Sequence, residues 1–68
     1  MAIIHVTKEN FASEVLASKE PVLVDFWSTW CMPCKMMGRV LEQMDAEDPS
    51  LRIAKVDIDE APELAAQY

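Results

Sequence analysis

Sixty-eight residues, 51% of them apolar and 26% charged, with one glycine and four prolines, describe one small globular unit and exclude a disordered, collagen-like or low-complexity chain. Six Lys plus Arg against twelve Asp plus Glu give a net charge of −6, and the charges are scattered, so there is no basic stripe for nucleic acid or an anionic lipid surface. No apolar run approaches the ~20 residues of a membrane span, and Ala2-Ile3-Ile4 is too short for the apolar core of a secretion signal.

Ile3-Ile4-His5-Val6 reads as a short strand, and Thr7 offers a hydroxyl to cap a helix over residues 8–18. Phe11, Val15 and Leu16 form the apolar stripe of that helix, while Lys8, Glu9, Glu14 and Lys19 fall on its wet side. Pro21 ends it. Val22 to Trp27 is a β-branched and aromatic run that predicts a strand buried on both faces, with Asp25 as the exception inside it. From Cys31 to about Glu47, the spacing of Met37, Val40, Leu41 and Met44 predicts a second helix, stopped by Asp48-Pro49-Ser50. Leu51 to Asp57 reads as a third strand, and Pro62 suits the first position of a last helix reaching Tyr68. The order βαβαβα implies an α/β fold of three mostly parallel strands with helices on both faces, one domain over residues 1–68. In such a sheet the site lies beyond the carboxyl ends of the strands, where Trp30-Cys31-Met32-Pro33-Cys34 falls.

Cys31 and Cys34 are the only cysteines, and a loop this short adds little stability by the chain-entropy account, so the pair is there for chemistry. Residues i and i+3 of a helix stand ~5–6 Å apart at their β-carbons, against ~3.5–4.5 Å in a disulfide, so a modest adjustment lets the bond form and open locally. Cys31 precedes the helix body, where unpaired N–H groups and the positive end of the helix dipole favour thiolate, and Lys35 adds positive charge. Cys31 is therefore the expected nucleophile. Cys34 is placed to attack a mixed disulfide on Cys31. Pro33 stiffens the turn between the sulfurs.

The pattern Val24-Asp25-Phe26-Trp27-x-x-Trp30-Cys31-x-Pro33-Cys34-Lys35, followed by Ala54-Lys55-Val56-Asp57, resembles the thioredoxin family along the whole chain. The resemblance implies a thiol–disulfide oxidoreductase that reduces protein disulfides, needs no bound cofactor or metal, and is recharged by a thioredoxin reductase. It implies that Asp25 is a buried acid beneath Cys34, that Lys55 neighbours the acid, and that Trp27 and Trp30 flank the site. Desolvation disfavours the charge of an acid in an apolar strand, which equips Asp25 to take the Cys34 proton. Met32 stands where the family usually has glycine, and Arg39 follows Gly38 where many members have proline.

Against the family pattern the chain stops at Tyr68, before the loop carrying a cis-proline and a final ββα, and so reads as a truncated thioredoxin-like fold. The second strand would then expose an unpaired apolar edge, and self-association through it, as a homo-oligomer, or partial unfolding is expected. Two other readings compete: a catalytically weak, self-associating module, and a dimer binding metal through two Cys-x-x-Cys pairs. His5 is assigned to capping or packing, Met32, Met36 and Met37 to core or rim, and Asp57, Asp59, Glu60 and Glu63 to solubility and the dipole of the last helix. A reactive dithiol with no targeting segment points to the cytoplasm.

Overall fold

The computed structural model describes residues 3–68; Ala2, the first residue of the apolar triplet read above, lies outside the described residues. Strand β1 (Ile3–Val6) is followed by a π-helical segment (Ala12–Leu16), β2 (Val22–Trp27), helix α1 (Met32–Glu47), β3 (Arg52–Asp57) and helix α2 (Pro62–Gln67). β1 and β2 each pair in parallel with β3, giving the order β1-β3-β2. This is the three-stranded parallel α/β architecture that the alternating pattern predicts.

The register sorts side chains into two faces, because neighbouring residues of a strand point to opposite sides. Ile4, Val22, Val24, Phe26, Ala54 and Val56 pack with Val6 against Phe11 and Val15 of the first crossover and Ala61 and Leu64 of α2. The opposite face carries Ile3, Ile53 and Leu23 in one row and His5, Lys55 and Asp25 in the next. α1 covers it with Gly38, Leu41 and Asp45 as its buried residues. Ile53 and Val56, on opposite faces of the central strand, are fully buried. The ring of Tyr68 closes on that of Phe11 with centroids 5.4 Å apart, tying the end of α2 to the first crossover.

Three expectations need correction. The helix over residues 8–18 contracts to Ala12–Leu16. The Thr7 N–H donates to Asn10 Oδ1 at 2.7 Å, and the Thr7 hydroxyl accepts from the Glu9 N–H at 3.3 Å, so Thr7 organises a turn and not a helix cap. The following turn is widened, with the Ala17 N–H bonded five residues back to the Ala12 carbonyl at 2.9 Å. Phe11 and Val15 still reach the core, but Leu16 rotates out to 64% exposure.

β2 is not buried on both faces. It is an edge strand paired only with β3 among the described residues, and Leu23 on the α1 side is 42% exposed. The inner line of α1 also differs from the apolar stripe read from the sequence. Of Met37, Val40, Leu41 and Met44 only Leu41 is buried, and Gly38 and Asp45 share its face at helical spacing.

Candidate active site: a disulfide at the start of a helix

The chain leaves β2 at Trp27, turns through Ser28, Thr29 and Trp30, and enters α1 at Cys31. The Cys31 N–H donates to the Ser28 carbonyl at 3.4 Å, which closes the turn. Cys31 keeps an extended backbone (φ −101°, ψ 105°) and is the N-cap of α1. Its Sγ accepts from the Cys34 N–H at 3.2 Å, and its carbonyl accepts from the Lys35 N–H at 3.2 Å. The sulfur thus does what a serine or aspartate oxygen does at an ordinary cap, satisfying one of the donors that a helix start leaves unpaired. Cys31 and Cys34 are joined as a disulfide, with Cα atoms 5.2 Å apart. Pro33 sits in the first turn, where its missing N–H costs no helical bond. Both cysteines are half-buried, and the Lys35 side chain is exposed beside them.

Asp25 of β2 and Lys55 of β3 are direct register partners, and His5 faces Lys55 from β1. His5 lies within β1, exposed, its carbonyl accepting from Asn10 Nδ2 at 3.4 Å. Among the described residues no ion pair joins Asp25 to Lys55. The Lys55 Nζ instead lies 5.3 Å from the centre of the Trp27 ring, a cation–π contact. Asp25 is half-buried overall, but its Oδ2 is buried with no hydrogen-bond partner. A cleft of about 210 Å³, lined by Leu23, Val24, Asp25, Met37 and Leu41, opens onto the acid.

The outer rim is apolar. Trp30 is 70% exposed and Met32, between the cysteines, 66%. Trp30 Nε1 donates to Asp59 Oδ2 at 3.1 Å, and the Asp57 side chain accepts from the Asp59 N–H at 2.9 Å. The turn after β3 therefore holds the indole beside the disulfide. Asp59, expected to serve solubility and the dipole of the last helix, holds the indole instead; the signal for this is the Asp-x-Asp spacing at a strand end, which builds such a turn. Ser28, fully buried behind the site, carried no signal at all.

A Cys-x-x-Cys disulfide capping the helix that follows a parallel strand defines an α/β protein built around a local dithiol–disulfide pair. The chain belongs to the thioredoxin family, whose model matches residues 2–68. It is 52% identical over 68 residues to a thioredoxin of Mycobacterium tuberculosis (strain H37Rv), covering 98% of this chain and 59% of that protein. It is 47% identical to a thioredoxin of Thiocapsa roseopersicina, covering 98% of this chain and 75% of that protein. A bifunctional thioredoxin reductase/thioredoxin of Mycobacterium leprae is 50% identical over 66 residues, which are 96% of this chain and 14% of that protein. The chain thus spans 59% of the length of the tuberculosis thioredoxin.

Proposed function

We propose that this chain exchanges its dithiol for the disulfides of protein substrates. The observation that carries the reading is the Cys34 N–H directed at Cys31 Sγ at the start of α1, a donor that favours thiolate at Cys31 once the disulfide is reduced. The Cys31 thiolate attacks one substrate sulfur, the other substrate sulfur leaves as thiolate, and a mixed disulfide forms. Cys34 then gives its proton to Asp25, directly or through a water in the cleft, and attacks Cys31 Sγ. The second substrate sulfur leaves as thiolate, and the Cys31–Cys34 bond closes. Two electrons pass from the dithiol to the substrate, and the two departing thiolates take protons from Asp25 and solvent. No cofactor is required by this sequence of steps.

Trp27 and Lys55 flank the acid in the sheet, with the ammonium on the indole ring, Trp30 and Pro33 shape the approach to the sulfurs, and Lys35 adds positive charge beside Cys31. Restoring the dithiol needs an external dithiol donor. We assign this to a thioredoxin reductase, a partner suggested by the relative whose name joins both activities. A reducing compartment such as the cytoplasm suits the cycle. We also propose that β2, with one edge unpaired, self-associates at micromolar concentration; a monomeric mass in sedimentation equilibrium would overturn that part. The exchange reading is tested by dithiothreitol-driven reduction of a disulfide protein, compared with a Cys31→Ser variant. Acceleration by the parent and none by the variant is expected; equal rates would sink it.

A further inference from the structure

The one glycine of the chain, Gly38, lies inside α1, where glycine weakens a helix relative to alanine because it surrenders more backbone freedom. Its backbone does not account for its presence, since no described glycine has a positive φ. Gly38 is buried against the sheet. A β-carbon at this position would meet the Lys55 Nζ at 3.3 Å, closer than ordinary van der Waals contact. That same nitrogen lies 5.3 Å from the centre of the Trp27 ring. It belongs to the sheet row that Lys55 shares with Asp25 and His5.

We propose that Gly38 is a positioning residue: its missing side chain leaves the passage through which Lys55 reaches the Trp27 ring. The ammonium is thereby held on the ring and off the Asp25 carboxylate, whose Oδ2 has no hydrogen-bond partner. An alanine narrows the passage and moves the ammonium. The groups around it are Asp25 and Trp27 on β2, His5 on β1, Asp57 on β3 and Glu42 of α1, which lines a cleft with His5 and Lys55. Moved off the ring toward its register partner Asp25, the ammonium pairs with the carboxylate and occupies the oxygen that would meet the Cys34 proton. The consequence for the reaction rests on the exchange function proposed above; the passage itself does not.

The test is a double-mutant cycle of Gly38→Ala and Lys55→Ala, with Trp30→Phe throughout so that Trp27 is the sole indole. With Lys55 removed, Gly38→Ala is expected to raise the folded-to-unfolded ratio about four- to fivefold, the alanine-over-glycine gain in a helix. With Lys55 present that gain is lost. Gly38→Ala should shift the Trp27 emission only when Lys55 is present, and slow the resolution of a Cys31 mixed disulfide only in that background. Equal stability gains in both backgrounds with unchanged emission overturn the proposal, whatever the exchange activity. Coupled stability and emission in a chain that performs no exchange support the passage and reject the proposed function instead.

Discussion

Asp25→Asn is expected to make this chain more stable and slower in one stroke. The Asp25 Oδ2 is buried without a partner, and such a group costs ~1–3 kcal/mol, more when it is charged. Because Asp25 is half-buried and borders an open cleft, the low end applies. A neutral amide of the same shape is cheaper to bury, so the gain is about 1 kcal/mol, worth roughly 4–8 °C in the melting temperature of a domain this size. The amide accepts no proton, however, and a positioned base is worth ~10²–10⁴ in rate. Water entering the cleft can substitute in part, so a loss of about 10² in the resolving step is expected. Stopped-flow mixing of the reduced chain with a disulfide that releases a chromophoric thiol separates the two steps. The first release, by Cys31, should be unchanged and the second delayed. A second phase at the parent rate refutes Asp25 as the proton acceptor, and a lowered melting temperature refutes the desolvation argument.

Three further predictions concern the scaffold and the rim. Ile53→Ala removes a fully buried side chain at the centre of the α1 face and should cost about 2–5 kcal/mol in urea unfolding; a loss under ~1 kcal/mol would mean that this face is not packed as described. Asp59→Ala frees the Trp30 indole, so Trp30 anisotropy in a Trp27→Phe background should fall while stability changes by less than ~1 kcal/mol, the bond being exposed. Glu9 has its carboxyl held below the ordinary glutamate value, first by the Thr7 hydroxyl and then by its own backbone N–H, against desolvation, with Lys8 as the smallest contribution. Its folded value lies below the unfolded one, so its stabilising contribution is present above the unfolded value and lost as pH falls through the folded one. Thr7→Val should raise the Glu9 titration midpoint measured by carbon-detected NMR, and an unmoved midpoint would contradict the assigned cause.

What the sequence makes legible follows from how local each cause is. β3, α1 and α2 are readable because β-branched runs, Pro33 and Pro62 at the two helix starts, and a cysteine at the cap of α1 act within a turn or two. Strand alternation permits Asp25 and Lys55 to share a face and the family resemblance makes them neighbours, whereas their direct pairing is a matter of sheet register. The widened turn after Phe11 is not readable, since apolar spacing fits an α-helical or π-helical path equally over so few residues. The exposure of Leu23 depends on which strand ends the sheet, a property of the whole arrangement. The Trp30–Asp59 bond and the approach of Lys55 to Gly38 join residues far apart in the chain, and neither side chain announces its partner.

The sulfur bond spans only one helical turn, and this ties two measurable quantities together. Around a thermodynamic cycle, the change in unfolding free energy on reduction equals, in magnitude, two Faradays times the difference in reduction potential between the native chain and its unfolded form. A ring so small constrains the unfolded chain little. Any potential that departs from that of a flexible Cys-x-x-Cys peptide must therefore arise in the native state, chiefly from the amide of Cys34 aimed at its partner's sulfur. Calorimetry of both redox forms and equilibration against a glutathione buffer must then return the same number.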